Sequence, residues 1–372
     1  MCRVAFRQLH GLGLPTNADT RPPSSSLKPA EIFSLARRHR VLGLLESGLS
    51  LSRSWPASEA KTWREACFGQ LKHSSERIEE AENLFPFLES RAGPALFIKG
   101  PTLAKQAWPD PALRSFDDLD LRIPRQNYDA LISIMSDLGY EPEINNVRQR
   151  VHLWNYGWGI GFANRQGSII EFNHRFFPPH YPVSSSFRPQ HPGLSGFLKL
   201  DHTHVRTLLP HAHLLYACMH ALWHGWERLS WLVDIAGLMV KNPSAFDEAN
   251  ATVRRSCFAR HALHTGAALA ERFFGPGILR AGIEEFVRVR LDAFATAVLS
   301  SGSAFVPAAQ QRARQRECMS RSEIFSYEFR RALVPGDGDF KAIQLPRAIG
   351  WLYWPIRPVR YLAGRSKINA RG

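Results

Sequence analysis

Leu119, Leu121 and Ile123 alternate one for one with Asp118, Asp120 and Arg122. On a helix these six residues would spread round every face. On an extended strand they sort into one oily face and one charged face. A chain with this segment must cover one side of a strand with core and leave the other to something that tolerates charge. Nearby apolar runs can pair with it. Residues 95–99 lie between Gly93–Pro94 and Gly100–Pro101 and read as a buried strand ending in a tight turn. Residues 151–154, 157–163 and 168–173 read as further strands, and 127–138 as an amphipathic helix closed by Gly139.

On both sides the period lengthens to that of a helix. Helical patterning covers 29–45, 61–71 and 74–90, with a kink expected at Pro86. It returns over 214–240, 249–274, 277–299 and 317–333. These changes divide the chain into a mobile N-terminal segment (1–27), an N-terminal helical lobe (28–92), an α/β core (93–200), a C-terminal helical lobe (201–335) and a basic aromatic tail (336–372). The expected fold class is α+β: a small mixed β-sheet flanked by N-terminal and C-terminal helical lobes.

Composition narrows the function classes. With 372 residues, 44% hydrophobic and 22% charged, the chain has material for a sizeable core and is not of the disordered class. No run of about 18 uncharged apolar residues occurs, and 1–27 lack a signal-peptide core. The expected location is cytoplasmic. Lys plus Arg is 47 against 33 Asp plus Glu, a net charge of +14, which favours anionic partners. Cys2, Cys67, Cys218, Cys257 and Cys318 are scattered without a CxxC spacing, against a disulfide framework or a cysteine zinc site. Aromatic-basic RNA-binding motifs and zinc fingers are absent.

The charged strand face carries the candidate chemistry. Asp118 and Asp120 would sit about 7 Å apart at their Cα atoms. Like charges so placed repel, and a divalent cation between them removes the penalty. Mg²⁺ takes one or two carboxylates together with phosphate oxygens, and Mn²⁺ suits the same oxygen ligands. The same pattern also occurs on exposed strand edges with no ion. Glu171, inside the run Ile169–Ile170–Glu171–Phe172, is a candidate third ligand; its alternative is an ion pair with Arg165 or Arg175. In the turn Lys99–Gly100–Pro101–Thr102, glycine permits close approach to a phosphate and Thr102 offers a hydroxyl. Lys99 either meets phosphate or ends its strand in solvent. His220 and His224 share a helix face, with Trp231 and Asp234 near the same stripe. A zinc site there needs a third ligand that is not evident; packing in a core is the plainer role.

Taken together, Phe97–Ile98–Lys99–Gly100, the run from Arg114 to Asp120, Glu171–Phe172–Asn173–His174, and the helical series His220, Ala221, His224, Trp226, Arg228, Leu229, Trp231, Leu232, Asp234, Ile235, Ala236 resemble the uncharacterised bacterial nucleotidyltransferase family of the polymerase-β nucleotidyltransferase superfamily. The resemblance covers roughly residues 28–300. It departs from the family pattern at Pro101, where the superfamily usually has Ser, and at Asn173, where many relatives have His.

The resemblance implies a metal-dependent transfer of a nucleotidyl group from a nucleoside triphosphate such as ATP. Asp118, Asp120 and Glu171 would be catalytic and hold Mg²⁺ or Mn²⁺. Lys99, Gly100, Thr102 and Arg114 would bind nucleotide, and His220, His224 and Arg228 would line the cleft. The acceptor stays open: a small molecule, a polysaccharide or peptide precursor, or RNA. The alternative is a catalytically degenerate nucleotide-binding or scaffold protein. In the tail, Trp351, Tyr353, Trp354 and Tyr361 lie among Arg347, Arg357, Arg360 and Arg365. They suit either peripheral contact with an anionic membrane or packing back onto the helices. Pro346, Pro355 and Pro358 argue against one long helix there.

Overall fold

The computed structural model describes residues 1–11, 28–183, 187–188, 191, 193–278, 284–299 and 307–369. Its strands are β1 (Leu96–Phe97), β2 (Asp118–Arg122), β3 (Tyr140–Pro142), β4 (Gly159–Asn164), β5 (Ile169–Asn173), β6 (Ser195–Lys199) and β7 (His204–Leu208). They form one mixed sheet in the order β3-β4-β5-β2-β1-β7-β6. Before it come helices α1 (Cys2–Leu9), α2 (Pro29–Arg38), α3 (Leu42–Leu49) and α4 (Ala57–Arg91). Between strands lie α5 (Pro101–Ala107), α6 (Tyr128–Asp137) and α7 (Val147–Tyr156). After them come α8 (Pro210–Trp223), α9 (Leu229–Lys241), α10 (Ala245–Thr252), α11 (Cys257–Phe274), α12 (Glu285–Leu299), α13 (Ala308–Glu317), α14 (Arg321–Leu333), α15 (Asp337–Ala342) and α16 (Tyr353–Asn369). The architecture is α+β.

Alternation along β2 does what the sequence demands. Leu119 and Leu121 join Phe162, Ile170 and Phe172 against Leu84, Phe85 and Leu88 of α4 and Leu131, Ile134 and Met135 of α6. Each fully buried Leu or Phe contributes about 1.5–3 kcal/mol. That sum exceeds the few kcal/mol of like-charge repulsion on the opposite face. β1 alternates the other way: Leu96 and Ile98 enter a second core, built mainly from α8, α9 and α11. His213 of α8 docks that core on the sheet, its Nε2 lying 2.8 Å from the Ile98 carbonyl.

Several local expectations are corrected. Residues 151–154 are not a strand but the end of α7, which starts where Asn146 caps the Gln149 amide at 3.0 Å. A four-residue apolar run does not separate helix from strand. The pieces expected at 61–71 and 74–90 are one helix, α4. The polar stretch at its middle, which reads as a break, is used: the buried Ser74 donates to the Arg114 carbonyl at 2.9 Å. The pattern at 214–240 is two helices, α8 and α9, and that at 249–274 is α10 and α11, divided where Ser256 caps α11. β6 and β7 carry the sheet to Leu208, beyond residue 200. Residues 2–9 are helical, while 12–27 lie outside the described residues.

The tail forms α16 despite its prolines. Pro355 falls in the first turn, where its missing N–H costs nothing, and Pro358 gives up one hydrogen bond. Tyr353 is fully buried, and Arg357 and Arg360 reach Asp339 at 3.2 and 3.0 Å. Trp351, Trp354, Val359 and Leu362 are exposed. No helix among the described residues is long and apolar enough to cross a membrane.

Candidate functional site

β2 and β5 run parallel with Asp120 opposite Glu171. That register, fixed by the apolar face beneath, brings the third acid of the sequence beside the first two. Carboxylate oxygens of Asp118, Asp120 and Glu171 all lie within 4.8 Å of one another. Past β1, the Ile98 amide donates to the Asp120 carbonyl at 2.9 Å, and Lys99 then places its Nζ 3.0 Å from Asp120 Oδ2. Gly100 follows at φ +65°, a conformation that favours glycine, and lets the chain turn into α5. On β4, Gly161 faces Glu171 across the ladder. A Cβ there would stand 1.9 Å from Glu143 Oε2, so the bare glycine is what lets Glu143 lean toward the cluster.

The carboxylates lie at the floor of a cleft of about 710 Å³. α8 supplies Tyr216, His220 and Trp223 to its wall, His224 caps that helix, and Arg228, Ser230 and Trp231 come from the start of α9. The turn between the helices puts Gly225 at φ +71° and, less usually, Trp226 at φ +62°. A bulky residue in that region is strained by about 1–3 kcal/mol. It is held there by complete burial of its ring against Gly266 of α11. From the N-terminal side, the His39 carbonyl accepts from the Ser230 amide at 3.2 Å, and Arg40 pairs with Asp117 at the rim.

Arg114 is pinned from behind. Its Nε and Nη2 donate to the two oxygens of Asp234 at 2.8 and 2.9 Å, and Trp108 Nε1 donates to the same carboxylate at 2.6 Å. This buried fork ties the loop before β2 to α9. Gly237 allows the helix to come that close, since a Cβ there would meet the Ala107 carbonyl oxygen at 2.0 Å.

Electrostatics follow from burial and crowding. Loss of water, then Asp118, push the Asp120 carboxyl up against the opposing pull of Lys99. Glu171 is raised by burial and by Asp120 and Asp118. Burial pulls the Lys99 pKa down; Asp120, with Tyr216 and Asp118, outweighs it and raises the pKa, keeping the ammonium charged. His220 and His224 are pushed down, by burial first and then by Lys99, so both rings are neutral near pH 7.

Thus Asp118, Asp120, Glu171, Lys99, Gly100, Arg114, His220, His224 and Arg228 all line one cleft. Thr102 is not brought there: its hydroxyl is buried, bonded to Thr207 Oγ1 at 2.8 Å. Glu171 pairs with neither Arg165 nor Arg175; it stands with the aspartates. His220 and His224 join no three-ligand group among the described residues. Trp231 and Asp234 sit on a different helix from the histidines. Sequence reasoning missed Arg40, Glu143, Trp158 and Tyr216. Tyr216 lies four residues before His220, a spacing that places it on the same helix face.

The raised carboxyls predict a pH effect in metal-free buffer. A carboxyl with a raised folded pKa contributes stability that is present below its unfolded value and lost as pH rises through the folded one. Buried histidines such as His213 and His224, with lowered values, pull the other way, losing stability as pH falls through their unfolded value. The difference between wild type and Glu171→Gln isolates the first effect. With EDTA, the variant should match wild type near pH 5 and melt roughly 2–6 °C higher near pH 8. Mg²⁺ should stabilise the wild type most at the higher pH. A variant that melts lower at pH 8 would contradict the crowded-carboxylate picture.

Residues 25–275 match the family model described as an uncharacterised nucleotidyltransferase. No curated protein and no solved structure matches the chain.

Proposed function

The protein belongs to the uncharacterised nucleotidyltransferase family, and from that premise we propose that it moves a nucleotidyl group from a nucleoside triphosphate, ATP among the candidates, to an acceptor in the cleft described above. The observation that carries this reading is three converging carboxylates beside a charged, half-buried lysine. An all-oxygen donor set of this kind fits Mg²⁺ or Mn²⁺, and burial together with the neighbouring carboxylates pushes Asp120 and Glu171 up, a crowding that a divalent cation would relieve. Asp118, Asp120 and Glu171 would hold the ion. When bound, it supplies neutralisation of phosphate charge and a lower pKa for an attacking hydroxyl.

The chain's own groups do the rest. Lys99, kept charged by Asp120, faces the phosphates. Gly100 leaves the backbone approachable there. Arg114 contributes positive charge to the wall, and its Asp234 tether fixes it in place rather than freeing it to follow a leaving group. Glu171, with its raised pKa, is suited to take a proton from the acceptor hydroxyl if it is not occupied as a ligand. The neutral rings of His220 and His224, with Trp223 and Trp231, offer flat surfaces and hydrogen bonds to a base or acceptor without adding charge.

Labelled nucleoside triphosphates incubated with the protein, Mg²⁺ and fractionated lysate should yield a labelled product. Calorimetry with a non-hydrolysable triphosphate supplies the control. Mg²⁺-dependent binding without transfer in any fraction would favour the nucleotide-binding scaffold. No Mg²⁺-dependent binding at all would remove the reading.

For the tail we propose peripheral contact with anionic membrane through the exposed Trp351, Trp354, Val359 and Leu362. Arg357 and Arg360 are engaged by Asp339, so rings rather than charge would lead. Co-sedimentation with anionic liposomes should fall severalfold in the Trp351→Ser, Trp354→Ser double variant. Unchanged sedimentation, or none by wild type, would discard the contact.

A further inference from the structure

A second cleft, of about 410 Å³, opens beside the ends of β2 and β5. Arg125 follows β2 and Arg175 follows β5, and both line the cleft with Arg188 and Arg330. No Asp or Glu lines this cleft, and none of the four pairs with a carboxylate among the described residues. Elsewhere in this chain exposed arginines find acids readily, as Arg91 does with Asp137 and Arg272 with Asp292. Four cations lining one cleft without a counter-charge repel one another unless an anion joins them.

A buried group gives the same indication. His174, 6% exposed, lines the cleft. Its Nε2 accepts from Arg175 Nε at 3.4 Å, which leaves Nδ1 as the N–H of a neutral ring, and that buried nitrogen has no partner. Orphaned buried donors are costly and uncommon. Both nearby guanidinium charges and burial hold His174 down, to about 3, burial being the larger cause. Phe176, Phe177, Tyr181 and Phe187 back the cleft but are almost wholly buried in the larger core, while Pro178, Pro179 and Val183, half-exposed, complete an apolar side beside Gln126.

Position relates this cleft to the first. Asp118, Asp120 and Arg122 share one face of β2, and Asn173 pairs with Arg122 as Glu171 does with Asp120. The sheet face therefore runs from acidic to basic along the two strands.

We infer that the arginine cleft is a separate binding site for a small molecule bearing a phosphate ester on a ring-shaped body, bound without metal. The guanidinium forks suit the phosphate oxygens, and the half-exposed Pro178, Pro179 and Val183 suit the apolar face of the ring.

The test is calorimetric titration of the full-length protein in EDTA, without nucleotide, using inorganic phosphate, glucose 6-phosphate and glucose. Both phosphates should bind, glucose 6-phosphate the tighter, and glucose should not. The exposed pair Arg125→Gln, Arg175→Gln should weaken glucose 6-phosphate at least tenfold, while Arg165→Gln, in the β4–β5 turn, should leave it unchanged. Anionic liposomes and a short oligoribonucleotide form two further arms. No binding of either phosphate at about 10 mM, equal binding by the double variant, or binding of liposomes or RNA alone would overturn the assignment. Because metal and triphosphate are absent, these outcomes are independent of whether transfer occurs.

Discussion

Asp118→Asn should reduce nucleotidyl transfer by about 10³-fold while the protein melts no lower than wild type in metal-free buffer. Losing one ligand of a metal that stabilises transition-state charge is worth about 4 kcal/mol, or about three decades in rate. Asp118 is the cleaner position because it is half-buried and makes no ion pair within 4 Å among the described residues, so its removal relieves repulsion from Asp120 and Glu171 and forfeits only a longer-range attraction to Lys99. Asp120→Asn should lose activity as severely but should also lose stability, because Lys99 would be left without the carboxylate 3.0 Å away. Initial-rate assays alongside melting curves check both statements. An Asp118→Asn protein with wild-type turnover would remove the metal assignment. One that loses turnover and melts much lower would recast Asp118 as a structural residue.

The largest stability loss is expected at Asp234, which no phosphate or metal would touch. Asp234→Ala leaves the Arg114 guanidinium buried without its bidentate partner and takes the acceptor from Trp108. Breaking such a pair costs about 3–5 kcal/mol. Asp234→Asn keeps one acceptor and the shape and should recover part of it. Denaturant midpoints for the two variants check the order. A loss below about 1 kcal/mol for Asp234→Ala would mean that the fork between the β2 loop and α9 contributes little.

Much of the site was legible because strand chemistry is local. The alternation at Asp118–Ile123 assigned faces without any knowledge of partners, and the acid in an apolar run at Glu171 was conspicuous for the same reason. That the two would meet depended on a parallel register that no local pattern encodes. Arg114 illustrates a different gap. Its place at the cleft was readable, but its tether was not, since Asp234 is 120 residues away and looked like one polar residue on a helix stripe. The α8–α9 break was hidden because hydrophobic periodicity continues across the turn, and the signal that stops the helix is one glycine beside a strained tryptophan. Thr102 misled because nearness in sequence to a glycine turn says nothing about which way a helix rotates its first residues. The arginine cleft drew no notice because its members come from four separate segments.

α4 has one more implication. It contributes Trp63 and Cys67 to the larger core and Ile78, Leu84, Phe85 and Leu88 to the one beneath the sheet. At about 1.5 Å per residue its 35 residues form a rod of about 50 Å common to both. Neither core can come apart without fraying the backbone ladder on which the other is threaded. Hydrogen exchange along this rod should be slow and uniform, rising only at its ends, so that the amides beneath the carboxylate face open no more often than those under the N-terminal helices.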